Sequence, residues 1–268
     1  MGLPRLKYLC LRSITFMDEK PINDLISSCA LLERLELIGC RFYYVKNLNI
    51  STPQLMILFI DTCLNDYSEF KIKLSAPKLR ALRCRNYMTV EYSIENLSSL
   101  VVAWFEMKIG EDGKPDLFLN RKEEYGRRMI KLVGEICNAR TITLTPWLLQ
   151  FVAETPAALL RLPTQFHNLR HLKLFTFCTS ASICLTIFLL KRSPCLNKLV
   201  LEITNEAELP SDSVLCCLKS VELRNFQGCE NELNLLKFLL KKCIGLGEDD
   251  HHFYKMANPY GEKHVTIQ

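Results

Sequence analysis

The chain has no cysteine pair at C-x-x-C spacing, no glycine-rich phosphate loop and no H-E-x-x-H sequence. These absences remove the zinc clip, the nucleotide cradle and the zincin centre from consideration. The longest apolar stretch, Ile183–Leu190, is far too short to cross a bilayer, so no membrane partner is expected. Charge of one sign is missing as well. The 34 basic and 29 acidic residues leave +5, spread evenly, which argues against nucleic acid as a partner. Arg127-Arg128 and Lys241-Lys242 read as solvated helix faces. No secretory signal opens the sequence, since Leu3–Leu11 already has the pattern described next.

Nine segments share an apolar residue at positions one, four and six. They begin at Leu6, Leu32, Leu55, Leu79, Leu100, Ala139, Leu169, Leu196 and Leu218, at intervals of 26, 23, 24, 21, 39, 30, 27 and 22 residues. This is the strand core of a leucine-rich repeat, and leucine supplies 46 of the 268 residues. The fold class expected is α/β, a leucine-rich-repeat solenoid with a curved parallel β-sheet and irregular helical return segments. One repeat cannot bury its own leucines; stacking gives them a shared interior.

Three organisational units follow: residues 1–204 as the solenoid, 205–244 as a segment continuing it, and 245–268 as a tail without fixed structure. Helices are expected over Pro21–Cys29, over Ser180–Ser193 capped by Ser180 or Ser182, and over Asn231–Cys243. Lys108–Arg128 reads as a charged loop leading into a helix from Glu123 to Cys137, with Met129, Leu132, Val133 and Ile136 packing on the sheet.

The 13 cysteines are odd in number in a chain that is not small, so they do not read as a disulfide framework. Cys40 and Cys63 follow their repeats at the inward position where a small polar group satisfies backbone at the strand end. Free thiols imply a reducing compartment, cytoplasmic or nuclear.

The ordered motifs resemble the plant F-box/FBD/leucine-rich-repeat family. They are Leu3-Pro4-Arg5-Leu6-Lys7-Tyr8-Leu9, then Leu25-Ile26-Ser27-Ser28-Cys29 with Leu32-Glu33-Arg34-Leu35, Ile50-Ser51-Thr52-Pro53-Gln54-Leu55, Ala76-Pro77-Lys78-Leu79 and Asn96-Leu97-Ser98-Ser99-Leu100. Phe166-His167-Asn168-Leu169 and Lys191-Arg192-Ser193-Pro194-Cys195-Leu196 follow in order. Cys217-Leu218-Lys219-Ser220-Val221-Glu222, Phe226-Gln227-Gly228 and Glu232–Leu240 are similar to the FBD segment, here partial because the family's closing strand is not recognised after Cys243. The F-box that docks the Skp adaptor is not seen, so adaptor binding is not expected and the chain reads as a fragment or truncated gene product.

The resemblance implies a protein-interaction module, the substrate-recognition region of an F-box subunit of a cullin-type ubiquitin ligase. The alternative is a leucine-rich-repeat scaffold or decoy with no role in ubiquitination. No catalytic, cofactor-binding or metal-binding residue is nominated, and no enzyme activity is expected. The expected partner is a protein. Candidate contact residues are the outward strand positions: Tyr8, Arg12, Arg34, Glu36, Phe59, Asp61, Arg83, Arg85, Trp104, Glu106, His171 and Lys173.

Overall fold

The computed structural model describes residues 3–63, 70–109, 121–155, 161–177, 179–203, 220–224, 233, 235–237, 239, 254–257 and 263–267. Each of the nine repeat segments supplies one strand. These are β1 (Tyr8–Arg12), β3 (Arg34–Phe42), β5 (Ile57–Cys63), β7 (Ala81–Tyr87), β9 (Val102–Lys108), β10 (Thr141–Leu144), β11 (His171–Thr176), β12 (Lys198–Ile203) and β13 (Ser220–Arg224). They pair in that order, all parallel. The short β2 (Thr15–Phe16) pairs with the far end of β3.

Register follows the sequence period. Leu9, Leu35, Leu58, Leu82, Ala103, Ile142, Leu172, Leu199 and Val221 are successive partners in one row. From Leu35 onward every member is buried, and Leu9 on the outermost strand is half-buried. Each fully buried leucine contributes about 1.5–3 kcal/mol relative to exposure. No single coil can supply that burial alone, so the stack is the unit of stability.

Among the described residues, helical returns occur where the repeat is long. α1 (Glu19–Ser27), α2 (Lys122–Glu135), α3 (Pro146–Ala153) and α4 (Ser180–Lys191) fill the intervals of 26, 39, 30 and 27 residues. The intervals of 23, 24 and 21 residues return instead through strands β4 (Asn47–Ser51), β6 (Lys71–Ser75) and β8 (Glu91–Glu95). These make a second parallel sheet, order β4-β6-β8, which corrects the expectation of purely helical or irregular returns. An extended strand covers the same height with fewer residues than a helix, 3.3 against 1.5 Å of rise per residue, or roughly half the count. Leu48 and Ile50, Ile72 and Leu74, and Tyr92 and Ile94 point into the core from these strands.

Helix boundaries follow the apolar period. Met129, Leu132, Val133 and Ile136 are buried on and just beyond α2, as their spacing requires. α1 begins at Glu19, with the Asp18 carboxylate accepting from the Lys20 amide at 3.0 Å. The cap of α4 is Thr179, whose hydroxyl accepts from the Ser182 amide at 3.1 Å, in place of Ser180 or Ser182. Of the helix expected over Asn231–Cys243, the described residues 233, 235–237 and 239 are helical, and Leu235, Leu236 and Leu239 are buried. Residues 110–120 of the charged loop lie outside the described residues.

The inward polar position is real and extends further than its cysteines suggest. Cys40 is fully buried and its thiol donates to the Leu11 carbonyl at 3.4 Å. A register shift between Ile38 and Cys40 opens the strand there, with Gly39 at φ +61° in the left-handed region. In the following coils Thr62 donates to Asn86 at 2.7 Å, and the Asn86 amide donates to the Tyr92 hydroxyl. The side chain of Cys63 lies outside the described residues.

Two strands fall within 245–268, where no fixed structure was expected. β15 (Lys263–Ile267) pairs antiparallel with β13, placing Val221 opposite Ile267, and β14 (Tyr254–Ala257) pairs antiparallel with β15. The alternation in Lys263-His264-Val265-Thr266-Ile267 suits a strand, and the open side of β13 supplies its hydrogen-bonding partners.

Candidate interaction surface

The side chains between the inward rows form outward rows in the same register. One row runs Cys10, Glu36, Phe59, Arg83, Trp104, Thr143, Lys173, Val200 and Glu222. Neighbouring strands lie about 4.8 Å apart, so Phe59, Arg83 and Trp104 are adjacent rungs. The Arg83 guanidinium carbon sits 5.1 Å from the Phe59 ring centre and 3.2 Å from that of Trp104. Arginine sandwiched by rings is held flat, which lowers the ordering cost of using it in a contact. Burial pushes the Arg83 guanidinium down from its ordinary value, against the opposing pull of Glu106. It stays cationic at neutral pH.

A second row two residues along carries alternating charge. Asp61, Arg85 and Glu106 are register partners on β5, β7 and β9. Arg85 lies 2.9 Å from Glu106 and 3.8 Å from Asp61. Such exposed pairs add little stability, about 0–1 kcal/mol, but fix the direction of the Arg85 fork beside the aromatic sandwich.

The remaining nominated residues are dispersed. Tyr8, Arg34 and Glu36 form their own group over β1 and β3, where Arg34 Nε donates to Glu36 at 2.8 Å and the Tyr8 hydroxyl at 3.1 Å. Glu36 is 6% exposed, so it is a buried acceptor beneath Arg34 and Tyr8 and not the open contact residue its outward position suggested. Burial pushes its carboxyl up, but the hydrogen bonds from Arg34 and Tyr8 outweigh that and hold it below the usual carboxylate range. Arg12 is exposed on the edge strand. His171 and Lys173 lie on β11, separated from Trp104 by β10 with Thr141 and Thr143.

Sequence reasoning missed the aromatic cluster beside the sandwich. β10 ends at Leu144, and the chain turns at Thr145 into α3, so the outer row loses a rung between Glu106 on β9 and Phe175 on β11. A cavity of about 410 Å³ occupies that gap, walled by Trp104, Met107, Trp147, Phe175 and Phe177, with Lys108 and Glu106 among its polar members. Trp147 meets Phe177 edge-on at 4.8 Å. The Trp104 indole nitrogen is buried without a hydrogen-bond partner among the described residues. Both tryptophans of the chain therefore border one cavity. The Thr145-Pro146 turn was the available signal, since proline in a first helical turn follows a chain break.

The FBD family model matches residues 210–247. The chain is 31% identical over 209 residues to the F-box/LRR-repeat protein At3g59190 of Arabidopsis thaliana, covering 75% of this chain and 53% of that protein. It is 30% identical over 225 residues to the F-box/FBD/LRR-repeat protein At5g44980 of the same plant, covering 78% of this chain and 47% of that protein. The chain thus spans about half the length of the curated relatives it matches. No solved structure gives a significant match. Its nine stacked repeats, its FBD match and these relatives together support a plant F-box/FBD/leucine-rich-repeat protein.

Proposed function

We propose that the outward face of the solenoid captures a protein, and that the capture serves substrate recognition for an F-box type ubiquitin ligase. The observation that carries this reading is the Phe59–Arg83–Trp104 sandwich beside the cavity bordered by Trp147, Phe175 and Phe177. Tryptophan, tyrosine and arginine dominate interface energies when they surround a recess that an apolar side chain can fill. The lysine and carboxylates at the border supply the polar rim that such interfaces carry. The ligase context comes from the names of the relatives, which are F-box proteins.

The test is affinity capture from a plant extract with the parent chain and with an Arg83→Ala/Trp104→Ala variant of unchanged melting temperature. Proteins held by the parent and lost by the variant are the face-dependent partners. Their abundance in plant cells should rise when the proteasome is blocked. A face-dependent partner whose abundance does not respond would favour a scaffold over a ligase subunit. Capture identical for both chains would remove the face from consideration.

A further inference from the structure

The turns that lead into the strands build a second surface of one charge. Just before each strand, one carbonyl accepts from two successive amides of the next coil. The Arg80 carbonyl takes Val101 and Val102 at 2.8 and 2.9 Å; Val101 takes Arg140 and Thr141, both at 2.9 Å; Arg140 takes Arg170 and His171 at 2.8 and 3.0 Å. The ladder begins with Lys7, Glu33 and Met56 and ends on Asn197 and Lys198. It fixes the residues before the strands as a row at strand spacing: Lys7, Glu33, Met56, Arg80, Val101, Arg140, Arg170 and Asn197.

The row differs between its halves. At the first coils Lys7 lies 2.7 Å from Glu33, so the charges cancel. From β7 onward, residues 76–80, 97–101, 136–140, 166–170 and 193–197 contain no carboxylate, while they carry Lys78, Arg80, Arg140, His167 and Arg170. Arg80, Arg140 and Arg170 are all exposed. Arg170 reaches only the Cys195 carbonyl, at 3.5 Å, and neither Arg80 nor Arg140 pairs with a carboxylate among the described residues. Three guanidiniums that meet no carboxylate among the described residues thus line three strand spacings, about 14–15 Å. The next residues along the strands form the register row Ile57, Ala81, Val102, Thr141 and His171; its first three members make an aliphatic shelf beside the Arg80 end, where Ile57 and Val102 are 38% and 39% exposed.

We propose that this rim binds an extended acidic segment of a partner protein, its carboxylates on Arg80, Arg140 and Arg170 and an aliphatic side chain on the Ile57–Ala81–Val102 shelf. In an extended peptide, side chains of one face recur about every 6.6–6.8 Å, so a short run of alternate acidic residues spans the row. Guanidinium forks suit carboxylates by paired hydrogen bonds. A single-stranded nucleic acid would call for rows of aromatic rings to stack on, and the Ile57–Ala81–Val102 shelf offers none. The proposal rests on the outward face as the partner surface only in that the shelf lies one row below Phe59, Arg83 and Trp104.

The probe is a fluorescent seven-residue peptide of glutamates around a central leucine, with its glutamine counterpart and an oligothymidylate of matched charge as comparisons. The glutamate peptide should bind the parent chain at least tenfold more tightly than the glutamine peptide. An Arg80→Glu/Arg140→Glu/Arg170→Glu variant should lose at least tenfold, and the milder Arg140→Gln/Arg170→Gln variant should lose part of it at an unchanged melting temperature. Arg83→Ala/Trp104→Ala should keep the peptide, which separates this rim from the face tested by extract capture. Absence of glutamate-peptide binding, binding indifferent to both rim variants, or tighter rim-dependent binding of the oligothymidylate would each overturn the proposal.

Discussion

Arg83 lies with its guanidinium 3.2 Å from the centre of the Trp104 ring, across the β7–β9 register pair. A flat cation on a ring face is a shape as well as a charge. Arg83→Lys keeps the charge and loses the stack. It should therefore weaken face-dependent capture nearly as much as Arg83→Ala, while the melting free energy changes by about 0.5–1 kcal/mol or less, the scale of an exposed cation–π contact. Full capture by the lysine variant, measured side by side with the alanine variant, would reduce the sandwich to simple electrostatics.

Leu172 sits in the inward row between Ile142 and Leu199 and is 2% exposed. Leu172→Ala should cost about 2–5 kcal/mol in denaturant unfolding. The same substitution at half-buried Leu9 on the edge strand should cost less. Equal losses at the two positions would contradict a continuous interior.

Gly126 permits a close approach between α2 and the end of α3. A methyl group there would fall 1.9 Å from Thr155 Oγ1 and 2.7 Å from the Phe151 carbonyl oxygen. Gly126→Ala should therefore destabilise by about 1–3 kcal/mol despite alanine's better helix propensity. Adding Thr155→Ala should recover part of the loss, since the Phe151 carbonyl remains in the way. Thermal melts of the single and double variants decide it; a stabilised Gly126→Ala chain would contradict the packing.

Acid should loosen the fold through carboxylates held low in the native state. Burial pushes Glu36 and Glu222 up, and their arginine partners, Arg34 and Arg224, more than offset it. Lysine does the same for Glu91 through the hydrogen bond from Lys71. Because the folded values lie below the unfolded ones, this stability is complete above the unfolded carboxylate range, about 4.3, and is lost as pH falls through the folded values. Urea midpoints from about pH 6 to about pH 3 should fall, and Glu36→Gln should flatten the decline. Parallel curves for the two chains would show that Glu36 contributes nothing to it.

The rungs were legible because burying leucine is a strong, periodic demand. Leu6, Leu32 and Leu55 recur at the period a leucine-rich repeat needs, and the nine strands follow the pattern one for one. The return strands were not, because each buries only two side chains, as Ile72 and Leu74 do in β6, too few to stand out from a loop. The outward positions of Phe59, Arg83 and Trp104 could be named because alternation about the repeat leucines assigns each residue a side. Trp147, Phe175 and Phe177 could not, since an aromatic residue that walls a recess has the same sequence signature as one that fills a core. The burial of Glu36 escaped for a related reason: alternation assigns a side to each residue, but Arg34 and Tyr8 decide how much water reaches it.

The early stop of β10 has a consequence for anything lying along the ribbon. The parallel ladders on either side of it repeat one backbone spacing, so the main chain of a ligand could slip by one rung and meet the same geometry. The missing rung breaks that translational degeneracy. It gives the surface an index mark, and a bulky side chain seated there would lock the whole length of a bound chain into a single alignment.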